Sequence, residues 1–179
     1  GTTESLGSAL TLPVENINDP PVGSVWISGV NTQGQTLRAN HVLSDADYMG
    51  MLFYQWQRDG VDVAGAYSNT YLLSQADVGK HITVRASYLD GWGTQESVIS
   101  EGTPAIANQN DAPTGTVSLL GTASKTSTLT ASVNLADPDG LGAFSYQWQI
   151  AGVDIQGATG DSHTLTQEDV GQQLRVRVS

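Results

Sequence analysis

The chain has 179 residues, no cysteine, and 18 acidic against 7 basic residues, which gives a net charge of -11 at pH 7. A chain this acidic lacks the basic surface with which proteins bind nucleic acid or anionic lipid. We therefore expect cations as partners. Without cysteine, neither disulfides nor thiolate zinc sites can hold small domains together, and an oxygen-bound metal or neighbouring domains are the usual substitutes.

The sequence repeats itself with a shift of 92 positions: Tyr54–Gln57 returns as Tyr146–Gln149, and Gly60–Asp62 returns as Gly152–Asp154. Roughly 37 of the 87 comparable positions are identical, which indicates a shared fold. Two domains of this size can each bury one modest core, but neither is large enough to enclose a buried catalytic cleft. Tandem arrays of small domains usually serve as spacers or binding surfaces.

Apolar residues alternate with polar ones in five short runs of the first repeat, which predicts half-buried strands. The runs are Val25 and Ile27; Leu37, Ala39, His41 and Leu43; Tyr54 and Trp56; Tyr71 and Leu73; and Ile82, Val84 and Ala86. In the second repeat the first two runs return as Val117 and Leu119, then Leu129, Ala131, Val133 and Leu135. Turn signals separate the runs, and no stretch keeps helical spacing. The prediction is an all-β chain of two tandem antiparallel β-sandwiches.

We expect the first repeat to cover residues 14–105 and the second 106–179, with residues 1–13 forming the final strand of a preceding repeat. Ser179 is the equivalent of Ser87, so the second domain is expected to lack its last hairpin and strand and to keep an open edge. About seven linker residues span at most roughly 25 Å, too little to bring residues 1–8 back to that edge. Residues 1–8 of a neighbouring molecule could reach it, which predicts head-to-tail self-association.

Three features resemble an immunoglobulin-type domain: Trp56, the Asp59–Gly60 turn, and the corner from Leu73 to Gly79. The two cysteines of the antibody-type pair are missing, and the tyrosine expected after the corner aspartate is His81 or Gln173. With the Asn-x-Asn-Asp-x-Pro linkers, essentially the whole chain resembles the immunoglobulin-like and cadherin-like repeats of giant bacterial surface adhesins secreted by the type I (RTX) route. The resemblance implies an extracellular or cell-surface location and a role in cell adhesion or biofilm formation.

Acidic and amide side chains recur in both repeats at the places where cadherins bind calcium. The linkers 16–21 and 108–113 resemble the cadherin linker, and each repeat has an Asp-x-Asp pair between its second and third strands. Ca²⁺ takes 6 to 8 oxygen ligands, and clustered carboxylates repel one another unless a cation lies among them. The alternative is that these residues only cap turns. The candidate ligands are Asn16, Asn18, Asp19, Asp45, Asp47 and Asp90 for one site, and Asn108, Asn110, Asp111, Asp137 and Asp139 for a second, weaker site.

Other notable side chains have structural explanations. Asp77 and Asp169 each open an Asp-Val-Gly corner, where a carboxylate accepts backbone N–H groups. Trp56 and Trp148 are expected in the cores. The outward aromatics Trp26, Tyr67 and Trp92 lie on different elements, and Trp26 and Tyr67 are replaced by Ser118 and Thr159 in the second copy, so we expect no sugar-binding platform.

Catalytic residues are not expected. His41, His81 and His163 have no histidine counterpart in the other repeat, and no nucleophile-elbow or metalloprotease spacing occurs. The favoured function is a structural extender module that Ca²⁺ stiffens at its linkers, with neighbouring repeats as partners and neither nucleic acid nor membrane insertion. A module that binds a cell-surface glycan or protein, and a linker in a secreted enzyme, remain alternatives.

Overall fold

The computed structural model describes all 179 residues and divides the chain into two compact units, Gly1–Gln109 and Asn110–Ser179. Both units consist of antiparallel strands, with a single 3-10 turn as the only helical segment. The predicted all-β fold of two tandem immunoglobulin-like sandwiches is confirmed. No helix has the length and apolar character needed to cross a membrane.

The first unit packs a three-stranded sheet against a four-stranded one. The first sheet has the order β1-β2-β5, with β1 at Val22–Ser28, β2 at Thr36–Ser44 and β5 at Thr70–Leu72. The second has the order β4-β3-β6-β7, with β3 at Phe53–Arg58, β4 at Val61–Asp62, β6 at Ile82–Leu89 and β7 at Gln95–Ile99. Residues 1–20 precede the first strand without regular secondary structure and are exposed.

The second unit has the same plan with one strand fewer. One sheet has the order β12-β9-β8, with β8 at Thr114–Leu120, β9 at Thr128–Ala136 and β12 at Ser162–Thr164. The other has the order β11-β10-β13, with β10 at Tyr146–Ile150, β11 at Val153–Asp154 and β13 at Leu174–Val178. Strand β13 pairs only with β10 and is an edge strand, whereas its counterpart β6 pairs with β3 on one side and β7 on the other.

The core of the first unit follows from the period of two along its strands, which turns alternate side chains inward. It consists of Val25, Leu37, Ala39, Trp56, Leu73, Ile82, Val84, Ala86 and Ile106. The indole of Trp56 stacks on Tyr71 with ring centroids 5.5 Å apart, and its N–H donates to the Ser68 carbonyl oxygen at 2.8 Å. The prediction that Trp56 is a core residue is confirmed.

The core of the second unit is smaller, with Leu129, Trp148 and Leu165 as its buried residues. Strand β8 is exposed along its whole length, and Val117 and Leu119 are each 37% exposed. These two side chains, predicted on the inward face of a half-buried strand, thus remain partly exposed. The reason is that β1, the counterpart of β8, packs against β6 and β7, and no strand of the second unit occupies the place of β7.

The boundary between the units lies at Gln109, four residues beyond the expected limit of 105. Ile106 is 2% exposed and belongs to the first core, and Val78 and Thr32 form bridges to Ile106 and Ala107. The chain after β7 thus continues along the first unit before the linker begins.

The corner aspartates are structural, as their sequence context predicts. Asp77 is fully buried and accepts hydrogen bonds from the Ser74 N–H at 2.7 Å, the Tyr71 hydroxyl at 2.9 Å and Arg58 Nε at 2.7 Å. In the second unit Asp169 accepts the Thr166 N–H at 2.7 Å and lies 3.2 Å from His163 Nε2. His163 is therefore a partner of the corner carboxylate.

Candidate metal centre

In the first unit a short chain of hydrogen bonds fastens the linker to the Asp-x-Asp loop. The backbone N–H of Asp19 donates to the Asp47 carboxylate at 2.7 Å, and the N–H of Asp47 donates to Asp45 Oδ1 at 2.8 Å. Asp47 is only 4% exposed. The structure thus brings together three of the residues that the sequence proposes as ligands.

Asp90 joins the same end of the unit through the backbone. The carbonyl oxygen of Asp47 accepts the N–H of Gly91 at 2.8 Å, and Met49 forms an antiparallel bridge with Asp90. Asp90 Oδ1 accepts the N–H groups of Trp92 at 2.9 Å and Thr94 at 2.7 Å. Asp90 Oδ2 is buried and has no hydrogen-bond partner in the protein. A buried carboxylate oxygen without a donor is costly unless a cation or water satisfies it.

Two further side chains complete the arrangement, Tyr88 and Glu96, and neither is among the ligands predicted from the sequence. The Tyr88 hydroxyl donates to Asp45 Oδ2 at 2.5 Å, and Asn18 Nδ2 donates to Glu96 Oε1 at 2.7 Å. Tyr88 is fully buried in β6, which alternates inward and outward, so its inward position could have been read from the strand period. Its hydrogen bond across to the Asp-x-Asp loop depends on tertiary packing.

The environment keeps these groups in defined protonation states. Burial and the hydrogen bond to Asp45 raise the pKa of Tyr88 well above its ordinary value, so the phenol stays a donor. Burial opposes ionisation of Asp90, but hydrogen bonds from Thr94, Trp92 and Gly93 outweigh it and lower the pKa of this carboxyl. Asp90 is therefore an anion at neutral pH.

The second unit repeats the central part of the geometry. The N–H of Asp111 donates to Asp139 Oδ2 at 2.7 Å, and the N–H of Asp139 donates to Asp137 Oδ1 at 2.9 Å. Asn110 Nδ2 caps the carbonyl oxygen of Asp111 at 2.8 Å. Asp137 is only partly buried and Asp139 is exposed, whereas Asp47 is buried in the first unit. The second arrangement is thus the more open copy.

The remaining proposed ligands, Asn16 and Asn108, are exposed and stand outside both hydrogen-bond chains. No group of three or more His, Asp or Glu side chains lies close enough together to hold a metal ion as the side chains stand. The donor set nevertheless fits a hard cation in its chemistry, because all its atoms are carboxylate or carbonyl oxygens. Asp90 Oδ2 is the atom that most needs such a partner.

The three aromatic residues that the sequence predicts to face outward lie on separate elements. Trp26 is on β1 and is 43% exposed, Trp92 is in the turn before β7 and is 69% exposed, and Tyr67 lies between β4 and β5 and is 66% exposed. His81 Nδ1 lies 2.7 Å from the Thr103 carbonyl oxygen, and His41 is half-buried on β2.

No protein family matches the sequence, and no curated protein matches it. Among solved structures, the three N-terminal domains of the highly immunogenic outer capsid protein (Hoc) of bacteriophage RB49 are similar over 88% of this chain and 54% of that chain. Their sequence identity is 18% and the TM-score is 0.34. The match thus spans about half the length of that Hoc chain.

Proposed function

We propose that the two units are extender modules of an extracellular bacterial repeat adhesin, in which each linker is fastened to the unit that follows it and is reinforced by Ca²⁺. The observation that carries this proposal is the hydrogen bond from the linker N–H to the Asp-x-Asp loop. It is 2.7 Å long from Asp19 to Asp47 and 2.7 Å long from Asp111 to Asp139. A linker held in this way loses conformational freedom, which is what a spacer requires.

Calcium would act most strongly at the first unit. Asp90 Oδ2 supplies a buried anionic oxygen, and the loop that carries Asp45 and Asp47 is joined to the same turn by the hydrogen bond from the Gly91 N–H to the Asp47 carbonyl oxygen. Extracellular calcium modules bind with dissociation constants of about 0.1 to 1 mM, and ion at ten times that concentration adds roughly 1.4 kcal/mol of stability per site. The second unit repeats the linker and loop carboxylates, but Asp139 is exposed where Asp47 is buried, so its affinity would be lower.

Two other functions stay open, and each has a distinguishing observation. A carbohydrate- or protein-binding module would keep its exposed aromatics from repeat to repeat, whereas Trp26 corresponds to Ser118 and Tyr67 to Thr159. A linker in a secreted enzyme would adjoin a catalytic domain in its parent gene. A spacer would be flanked there by many similar repeats.

Thermal melting in Ca²⁺, in Mg²⁺ and in chelator tests the proposal. Saturating Ca²⁺ should raise the melting temperature of the first unit by about 5 to 10 °C, since 1 kcal/mol shifts a domain of this size by roughly 4 to 8 °C. Asp90→Asn should abolish this increase, while Asp161→Asn, an exposed change of equal charge outside the site, should leave it intact. An unchanged melting temperature in Ca²⁺ would refute the calcium site.

A further inference from the structure

The first unit has a hollow of about 310 Å³ at the edge of its three-stranded sheet, which we call the Trp26 hollow. Strand β2 pairs with β5 only through residues 36–38, and the Asn69 carbonyl oxygen accepts the Ala39 N–H at 2.9 Å just before β5 begins. Past this point β2 has no neighbouring strand on that side. The polar and aromatic side chains that line the hollow are Trp26, Arg38, Asn40, His41, Tyr54 and Asn69.

The strand register places three of these side chains on one face of the sheet. Trp26 on β1 lies directly opposite Asn40 on β2, and Arg38 is two positions before Asn40. Since successive side chains of a strand point to opposite faces, all three point out of the sheet on the same side. Diagonal neighbours on antiparallel strands lie within reach of long and aromatic side chains. Trp26 is 43% exposed, so its indole offers an accessible apolar surface on the same face as the Arg38 guanidinium.

Arg38 is a cation without an acidic partner in the protein. The other Lys and Arg side chains of the first unit all form ion pairs: Arg58 with Asp77, Lys80 with Asp59 and Arg85 with Asp62. The Arg38 guanidinium makes neither an ion pair nor a hydrogen bond with another side chain. Its fork of N–H donors matches the two oxygens of a carboxylate. In a unit with an excess of acidic residues, this one positive group is thus left available to an external anion.

Several neutral polar groups around the hollow are also unused by the fold. Asn40 Nδ2 donates to Ser28 Oγ at 2.9 Å, which orients the amide and leaves its Oδ1 as an acceptor. The Tyr54 hydroxyl and the Asn69 side-chain amide have no hydrogen-bond partner in the protein. The same holds for His41 Nδ1, which is buried. A concave site with a few convergent polar groups of this kind is typical of small-ligand binding.

The second unit shares the strands but not this chemistry. With the shift of 92 positions Tyr54 returns as Tyr146, whereas Trp26 is replaced by Ser118, Arg38 by Thr130, Asn40 by Ser132, His41 by Val133 and Asn69 by Asp161. The indole and the cation are both lost, and a carboxylate stands in place of an amide. The fold therefore does not require these side chains, and their convergence in the first unit needs another explanation.

We infer that the Trp26 hollow binds a sugar residue that carries a carboxylate, such as a uronic acid of an acidic polysaccharide. Arg38 pairs with the carboxylate, and the indole of Trp26 packs on the apolar C–H face of the sugar ring. Asn40, Tyr54 and Asn69 form hydrogen bonds with the ring hydroxyls, which both donate and accept. No acidic side chain lines the hollow to repel the carboxylate. A volume of about 310 Å³ is small for a ligand pocket and suits a single sugar residue.

This ligand site adds to the extender role and does not depend on Ca²⁺. The Trp26 hollow shares no residue with the predicted calcium ligands. Of the three aromatic residues predicted to face outward it uses only Trp26, so it is a single contact site of one unit and not a platform repeated along the chain. A failure of the calcium site would leave this inference untouched, and the reverse also holds.

NMR titration of the full chain tests the inference with two uronates, glucuronate and galacturonate, and with glucose and acetate as references. The amide and indole signals of Trp26, Asn40 and Asn69 should shift and saturate in the millimolar range with at least one uronate, equally in Ca²⁺ and in chelator. Arg38→Gln should weaken this binding roughly 10- to 100-fold, because a charge-assisted hydrogen bond is lost. Trp26→Ala should weaken it roughly tenfold, because the apolar contact is lost. The remaining signals report whether each variant is folded.

Two matched controls separate the site from general effects of charge and of exposed indoles. Arg177→Gln removes an exposed arginine of the second unit that forms no ion pair, and Trp92→Ala removes an indole that is 69% exposed. Both variants should bind the uronate as the unmodified chain does. The absence of localised shifts with either uronate would overturn the inference, and so would equal loss in Arg38→Gln and Arg177→Gln. Equal affinity for glucose would show that the carboxylate contributes nothing, and equal affinity for acetate that the sugar ring contributes nothing; either result would also overturn it.

Discussion

Replacing Asp77 by alanine should destabilise the first unit by about 3 to 5 kcal/mol, the loss expected when one partner of a buried ion pair is removed. Asp77 is fully buried and joins the corner to two strands. Its carboxylate accepts the Ser74 N–H at 2.7 Å, the Ser74 hydroxyl at 2.8 Å, the Tyr71 hydroxyl at 2.9 Å and Arg58 Nε at 2.7 Å.

The magnitude follows from what each donor can do after the change. The Ser74 N–H and the Tyr71 hydroxyl lose a buried acceptor, and each unsatisfied group costs roughly 1 to 3 kcal/mol. Arg58 loses its ion pair, but its side chain is 29% exposed and recovers part of its hydration. The surface pair between Lys80 and Asp59 is 49% and 43% exposed, so Lys80→Ala should cost less than about 1 kcal/mol.

Amide hydrogen exchange by NMR measures the effect separately in each unit. Exchange at the protected amides of Trp56 and Val84 should become roughly 100-fold to several thousand-fold faster in Asp77→Ala, since each 1.4 kcal/mol is a factor of ten. The amide of Trp148 reports the second unit and serves as the internal control. A loss no larger than that of Lys80→Ala would refute the reasoning, because it would mean that the buried carboxylate contributes nothing beyond a surface ion pair.

Two further predictions concern backbone strain and pH. Gly115 has φ +114°, and a Cβ there would lie 2.1 Å from the Asn134 carbonyl oxygen, so Gly115→Ala should destabilise the second unit by about 1 to 3 kcal/mol in urea unfolding. Gly7→Ala, with no atom within 4 Å, should be neutral, and equal effects would contradict this explanation. Burial opposes ionisation of Asp77, but the hydrogen bonds from Ser74 and Arg58 outweigh it and lower its pKa below 3.8. Its stabilisation should therefore be present above about pH 4 and be lost as pH falls through the folded-state pKa. Asp77→Asn should flatten the acidic side of the curve of unfolding free energy against pH. An unchanged curve would show that another group titrates.

The sequence by itself determined the class of fold and the local chemistry of its corners. The period of two in runs such as Leu37 to Leu43 can be satisfied only by a strand with one buried face. Because the sequence repeats with a shift of 92 residues, the strands and turns expected in one unit are also expected in the other. The position of Trp56 in the core and the capping role of Asp77 needed no long-range information, because both follow from residues close in sequence.

Tertiary structure alone decided which distant groups meet. Tyr88 reaches Asp45 across 43 positions, Arg58 reaches Asp77 across 19, and no short-range pattern specifies either pair. Packing also decided that Ile106 completes the first core and that Leu119 remains partly exposed. A residue's inward direction is set by its own strand, but its burial depends on whether another segment covers it, and that segment lies far away in the chain.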